Sequence, residues 1–559
     1  MVPATVLNFR AWAGTAHGYN PGMLHLAVLA IAGLAAQPSA PGPDPPRLTV
    51  VISIDQFRSD YLRRFSDLFL PAETPDGIGG FRWLIETGAD FVNSKFTHVP
   101  TYTGPGHAVI GTGSPPGLNG IVGNGWFDRA AGESVYCVSD PDAKDVLTGE
   151  ASYSPKNLRV TTFGDELKIA TGGKSKHVSI GMKDRASILL AGRMADVVIW
   201  RGGDGWTTST FYAPDGKLPE WVVAINGRKL PASYADETWT RSLPDEAYER
   251  TSVSDRAAPP LGFGKTFPHK VGSNFHLTPR GNEFLFETAK EAVRAEWLGR
   301  DEIPDILTLN LSTNDYVGHS FGPDSPEVLE ITVATDRQLA DFFRFLDDEV
   351  SGGIESVFIV VTSDHGVLPI PEELTKRELP GGRVGPSTLR KDLDAALEEA
   401  FGSTDLIAHL GGYMIYIDIE VLERPGVYAD AEDVQWFIRD ELLKRPQIHS
   451  VFTRYDIMEG FLSPGLVEGM LAKSFHKENS GDVFYFLRPG YLLSGSPLGT
   501  SHGSPWPYDT AVPLLMRGRW VRPGRHLDAC GPVDIAATVC AVLGVGLPSG
   551  NVGRAVGLK

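Results

Sequence analysis

Three near-continuous apolar runs, each leading into an acidic residue, restrict this chain to a narrow set of folds. Leu48 to Ile54 runs into Asp55, Ile306 to Leu311 runs towards Asn314-Asp315, and Val357 to Ser363 runs into Asp364-His365. Such runs, without polar alternation, predict strands buried on both faces, as in a parallel sheet covered by helices. In such sheets ligands bind outside the carboxyl ends of the strands. A single aspartate after a strand is commonly a turn former or helix cap. Three of them, two with histidine neighbours, point instead to a metal-dependent enzyme.

The 559 residues exceed one minimal core and predict a large α/β body with insertions, or two to four domains. A net charge of −18 argues against a surface that coats nucleic acid. It leaves room for anionic substrates, because a local metal site can outweigh a diffuse acidic surface. The three cysteines, Cys137, Cys530 and Cys540, exclude a disulfide scaffold and allow at most one pair, which the sequence does not choose. With no Cys/His cluster, any metal site must use His, Asp and hydroxyl oxygens. Leu24 to Ala36 is an apolar segment shorter than the roughly 20 residues needed to cross a bilayer. Small residues and a Pro-rich stretch to Pro46 follow. The pattern predicts a signal h-region, cleavage zone and spacer, hence a periplasmic or secreted protein without a stable membrane span.

Six segments are expected. Residues 1–46 are the signal-like segment and spacer, and 47–193, 283–405 and 494–559 are three parts of a catalytic core. Residues 194–282, rich in Trp, Gly, Pro and Asp, read as an inserted β-rich lobe, with short alternating runs at Thr208 to Tyr212 and Trp221 to Ile225. Residues 406–493 read as a small α+β insertion, with a strand at Tyr413 to Ile417, a helix at Ala431 to Lys444, and strands at Ser450 to Arg454 and Val483 to Leu487. Core helices are expected over Glu283 to Leu298, Ser325 to Val350 and Val533 to Leu543.

The candidate ligands are Asp55, Asp315, His319, Asp364, His365 and His502. Asp315 and His319 share one face of a helical turn, and His502 sits in a small-residue loop. Three carboxylates with three imidazoles suit two zinc ions better than magnesium or calcium, which prefer all-oxygen shells. Two such ions suit an in-line displacement at phosphorus or sulfur. Pro105 predicts a helix start, which places the Thr103 hydroxyl beside N–H groups that attract an anion. Lys183 and Arg185 follow a strand-like run; on an extended strand both would reach one site, where their head groups suit phosphate oxygens.

These residues, with Val51-Ile52-Ser53-Ile54-Asp55, Thr101 to His107, Gly120 to Asn124, Asp315 to His319 and Ser363-Asp364-His365-Gly366, resemble the alkaline phosphatase superfamily, which includes nucleotide pyrophosphatases/phosphodiesterases. The likeness is greatest to its phosphate-irrepressible branch with a threonine nucleophile. The resemblance implies an alkaline-phosphatase-like α/β core, a largely parallel sheet with helices on both faces and two inserted lobes. It also implies that Thr103 is the nucleophile and forms a phosphothreonine. Asp55, Asp364 and His365 would hold the zinc that also meets Thr103, and Asp315, His319 and His502 the second zinc. Asn124 would donate to a phosphate oxygen, Lys183 and Arg185 would mark the monoesterase branch, and His107 would be structural. The expected partners are small-molecule phosphate monoesters. A phosphodiesterase or nucleotide pyrophosphatase on the same scaffold is the alternative, and a non-catalytic metal-binding protein a third reading. A sulfatase would need an arginine two residues after the Pro of a C/S-x-P-x-R motif, and Cys530-Gly531-Pro532-Val533-Asp534 lacks it.

Overall fold

The three apolar runs form adjacent parallel strands, in register over their whole length. Strand β1 (Leu48–Ile54) lies between β6 (Asp305–Leu311) and β7 (Val357–Thr362), with Ile54 opposite Leu311 and Ser53 opposite Thr362. The computed structural model describes residues 44–559 apart from Tyr428. Six more strands complete the sheet: β2 (Ala89–Phe91), β3 (His177–Gly181), β4 (Val197–Gly202), β5 (Gly205–Thr207), β8 (Leu514–Arg517) and β9 (Gly524–His526). Their order is β5-β4-β3-β6-β1-β7-β8-β2-β9. The block from β4 to β7 is parallel throughout, while β5, β7–β8 and β8–β2 pair antiparallel.

Both faces are covered, as the absence of alternation in the runs requires. Leu48, Val50, Ile52 and Ile54 of β1 pack with α4 (Pro279–Ala295) and α6 (Pro326–Glu349). The intervening Val51 packs on the other face with α1 (Thr103–Thr112), α2 (Phe163–Ala170), α3 (Asp184–Ala191) and α7 (Ile535–Leu543). Helix starts follow capping chemistry. The side chains of Thr278 and Ser325 accept from Arg280 N–H and Val328 N–H, and a proline follows each cap. Gly544, in the left-handed conformation at φ 69°, ends α7.

The segment 194–282 is not β-rich. Val197–Gly202 extends the main sheet beside β3, and the remaining strands are the short pieces Gly205–Thr207, Thr238–Trp239 and His269–Lys270. Thr208 to Tyr212 contributes only an isolated bridge from Ser209 to Asp145. Trp221 to Ile225 lies inside a helix, Glu220–Gly227. Val222 and Ile225 are fully buried while Val223 is exposed, so the short run follows the helical i, i+3 spacing rather than strand alternation. The segment 406–493 builds a four-stranded antiparallel sheet in the order Ile407–Gly411, Met414–Ile417, Val483–Leu487, Ile448–Thr453. Helices Pro386–Phe401 and Ala431–Leu443 supply Leu389, Leu393, Leu397, Val434 and Ile438 to its core, so the packing of this lobe begins before residue 406.

Pro45–Lys559 forms one unit that includes both lobes. The expected signal-like segment lies almost wholly outside the described residues. Among the described residues no helix is long and apolar enough to cross a membrane. Cys137, Cys530 and Cys540 are all free thiols.

Leu309 is fully buried at the centre of β6. Leu309→Ala is expected to lower stability by about 2–5 kcal/mol. In a urea titration the midpoint should fall while the slope stays unchanged.

Candidate active site

Three strands deliver three buried carboxylates to one edge of the sheet. Asp55 follows β1 directly, Asp364 lies two residues after β7, and Asp315 sits in the first turn of α5 (Thr313–Phe321), which begins two residues after β6. All three are at most 3% exposed. The Lys183 ammonium lies between two of them, with Nζ 2.7 Å from Asp55 Oδ2 and 2.6 Å from Asp315 Oδ2.

The histidines are oriented in one common way. His319 Nδ1 lies 2.8 Å from Thr500 O, His502 Nδ1 2.7 Å from Thr101 O, and His365 Nδ1 3.0 Å from Gly366 O. Each carbonyl accepts from an Nδ1–H, so that in the neutral imidazole Nε2 carries the lone pair. Those Nε2 atoms face the carboxylates. His319 Nε2 is 3.1 Å and His502 Nε2 3.8 Å from Asp315 Oδ1. His365 Nε2 is 3.2 Å from Asp364 Oδ2 and 3.6 Å from Asp55 Oδ1. Two groups therefore have ligand atoms within 4.8 Å of one another, Asp315/His319/His502 and Asp55/Asp315/His365. Asp315 belongs to both, and Asp364 joins the second through His365. The rings of His365 and His502 stack at 3.5 Å, which ties the two groups together.

The donor set fits divalent metal ions. Asp55 Oδ1 and Asp364 Oδ2 are buried and accept no hydrogen bond. Burial and the neighbouring Asp364 push the Asp55 carboxyl up to about 7, against the pull of Lys183. Burial also works against ionised Asp364 and Asp315. His365 and His107 overcome it at Asp364, and His319 and Lys183 overcome it at Asp315, so both stay below the usual carboxylate range. Burial lowers His365, yet Asp364 and Asp55 outweigh it and carry the imidazole up to about 9. Three carboxylates thus outnumber the one ammonium, and the site gathers protons on Asp55 and His365 that a bound cation would displace.

Thr103 is the first residue of α1, with its Oγ 3.4 Å from His365 Nε2. Gly106 lets this helix lie against the carboxylate strand end, since a Cβ there would come within 2.3 Å of Asp364 O. Arg185 Nη2 donates to Thr103 Oγ at 3.4 Å, and Arg185 Nη1 donates to the Tyr136 hydroxyl at 3.1 Å. Asn124 Oδ1 accepts from Gly104 N–H at 2.7 Å, which leaves its NH₂ as the outward donor. His107 Nδ1 lies 2.9 Å from Thr103 O and its Nε2 3.0 Å from Asn310 Nδ2, so it braces the helix from below.

Every residue expected at the site is present in this one cluster. One expectation is corrected: Lys183 and Arg185 are not alternate residues of a strand. Strand β3 stops at Gly181; Lys183 is the N-cap of α3, and Arg185 lies in that helix's first turn. They converge because the chain reverses into a helix at the sheet edge.

Three contributors escaped the sequence reading. Gln56 donates to Asp315 through Nε2 at 2.7 Å and to Asp364 through its backbone N–H at 3.1 Å. Asn310, the one amide in the apolar run of β6, faces His107 and Asp55, and that break in the run was its visible signal. Tyr136, from a short hairpin strand, holds both Arg185 and Asp184, a role no local pattern announces.

The chain is similar to known proteins over most of its length. Residues 49–394 match the type I phosphodiesterase/nucleotide pyrophosphatase family. The alkaline phosphatase PafA of Elizabethkingia meningoseptica is 34% identical over 548 residues, 95% of this chain and 97% of that one. The alkaline phosphatase PhoV of Synechococcus elongatus is 34% identical over 527 residues, 91% of this chain and 92% of that one. The crystal structure of wild-type PafA aligns with a TM-score of 0.86 at 33% identity, covering 93% of this chain and 99% of that one. This chain belongs to the type I phosphodiesterase/nucleotide pyrophosphatase family.

Proposed function

We propose that this protein is an exported di-zinc alkaline phosphatase that hydrolyses small-molecule phosphate monoesters through a phosphothreonine at Thr103. Likeness to alkaline phosphatases over nearly the whole chain supports the reaction class. The observation that carries the mechanism is the convergence on Thr103 Oγ of Arg185 and His365, the latter a member of one of the two ligand groups that share Asp315.

Asp55, Asp364 and His365 would hold one zinc ion, and Asp315, His319 and His502 the other. Bound there, the ions supply positive charge that acidifies oxygen nucleophiles and neutralises the oxygens of a phosphoryl group in flight. Thr103 Oγ attacks phosphorus in line with the leaving oxygen. The new Oγ–P bond forms as the ester P–O bond breaks, the electron pair leaves with the alcohol oxygen, and the proton lost from the Thr103 hydroxyl is matched by the one the alcohol takes up from solvent. Water then attacks the phosphothreonine, the Oγ–P bond breaks, one proton of that water restores the threonine hydroxyl, and inorganic phosphate is released. Arg185 donates to the non-bridging oxygens from beside the nucleophile, and the Asn124 amide, fixed by Gly104 N–H, adds a second donor. The first turn of α1 adds the partial positive charge of a helix start.

A monoester dianion carries more charge on its non-bridging oxygens than a diester monoanion, so Lys183 and Arg185 favour monoesters. Thr103→Ala is expected to abolish turnover of an aryl phosphate while bound zinc, measured by elemental analysis, stays at the wild-type ratio. Retained turnover would remove Thr103 as the nucleophile. The double variant Lys183→Ala/Arg185→Ala should lower kcat/KM for an aryl monoester by about 10²–10³-fold. The loss for the matched diester should be smaller. Equal losses on the two substrates, or a wild-type preference for the diester, would overturn the monoesterase reading.

A further inference from the structure

Like Lys183, one uncharged residue outside the ligand set touches a carboxylate of each group. Gln56 follows Asp55 and is 2% exposed. Its backbone N–H donates to Asp364 Oδ1 at 3.1 Å, and its side-chain Nε2 donates to Asp315 Oδ1 at 2.7 Å. Asp315 Oδ1 is the oxygen that faces the Nε2 atoms of His319 and His502.

This arrangement is held against two local penalties. Gln56 has φ 62°, in the left-handed region that disfavours a residue with a Cβ. Its Oε1 is buried without a hydrogen-bond partner. A third feature shows how tightly the amide is housed. A Cβ on Gly318, in the middle of α5, would lie 1.9 Å from Gln56 Oε1, so the helix offers the amide a slot only glycine provides. Strain, an unpaired acceptor and a dedicated slot in one residue point to a functional constraint rather than to packing.

We infer that Gln56 is a positioning residue that couples the two metal sites, aiming Asp315 with its side chain and Asp364 with its backbone. The inference rests on the di-zinc reading above. The left-handed turn makes both contacts possible at once, because it points the N–H towards the end of β7 while the side chain runs towards α5. Losing the side chain frees Asp315 Oδ1 to rotate away from His319 and His502, whereas the contact to Asp364 survives any substitution that keeps the backbone N–H.

Gln56→Gly separates the two roles, since glycine accepts φ 62° without strain and retains the N–H. Zinc occupancy of the purified, full-length protein is measured by elemental analysis after dialysis against graded zinc buffers. Expected is a 10- to 100-fold weaker affinity for one of the two ions, the size typical of losing a partner behind a ligand, with the other unchanged. In a His319→Ala background, which retains the Asp55/Asp364/His365 ion, Gln56→Gly should change nothing further. Gly318→Ala, which leaves Gln56 in place but closes its slot, should weaken the same single ion. Thermal unfolding of zinc-free Gln56→Gly should match or exceed wild type, which confirms that lost affinity is not lost folding. Two zinc ions held equally well by wild type and Gln56→Gly, or an equal loss of both ions, would overturn the inference alone. A wild-type protein that binds fewer than two zinc ions would overturn the di-zinc reading and the inference with it.

Discussion

Three buried carboxylates at the ends of three adjacent strands are the constraint from which the rest of the site follows. Asp55, Asp315 and Asp364 are almost completely removed from water, where unpaired charges are costly. They lie close together because β1, β6 and β7 are in strict parallel register, Ile54 opposite Leu311 and Ser53 opposite Thr362. A one-residue slip of any strand would turn its buried residues to the opposite face and carry its carboxylate out of the cluster. The packing that fixes register, with alternate β1 side chains shared between two layers of helices, is therefore also what fixes the chemistry.

Positive charge arrives by the complementary route, through what begins at that edge rather than what ends there. Helices α1, α3 and α5 all start beside the carboxylates, with Thr103, Arg185 and Asp315 in their first turns and Lys183 as the N-cap of α3. Each helix start carries partial positive charge in its unpaired N–H groups. A parallel sheet with crossover helices places strand C-termini and helix N-termini on the same side. One edge therefore gathers acidic side chains and a field that welcomes an anion. The three Nδ1-anchored imidazoles complete the set, each turned by a backbone carbonyl so that Nε2 faces inward.

The strands at the heart of the fold were legible because double burial writes itself as an uninterrupted apolar run, and β1 carries the predicted Leu48–Ile54 to the residue. Long helices were legible from their periodicity, and their ends less so: α6 ends within one residue of expectation at each side, whereas α4 (Pro279–Ala295) starts before the expected Glu283 and stops before Leu298. Short elements were not. Trp221 to Ile225 satisfies both a two-residue and a three-residue period, and only the burial of Val222 and Ile225 decides for a helix. Strand Ile407–Gly411 went unread because its residues mix Ala, His and Gly with one Leu and its pairing is irregular at residue 408. The clustered carboxylates, the histidines and Thr103 were readable as candidate side chains near strand ends, in a loop and at a helix start. Gln56 and Tyr136 were not, because their contacts join residues 259 and 48 positions apart and exist only once the sheet has formed.

Lys183 and Arg185, paired in the sequence, do different work in the structure. The Lys183 ammonium is engaged by Asp55 Oδ2 and Asp315 Oδ2, and both carboxylates belong to the ligand groups. Its charge is thus largely committed to them, and any cation held by the same carboxylates competes with it. Arg185 is placed otherwise. Its Nη1 is held by Tyr136, its Nη2 reaches Thr103 Oγ, and its Nε is buried with no acceptor at all. A buried guanidinium donor without a partner is unfavourable unless an oxygen comes to meet it. A planar fork beside the Thr103 hydroxyl has the shape to meet two oxygens of one anion, which an ammonium lacks. Of the two cations, Arg185 therefore keeps donor capacity for an incoming anion, with Tyr136 holding its fork in place, while Lys183 balances the carboxylates.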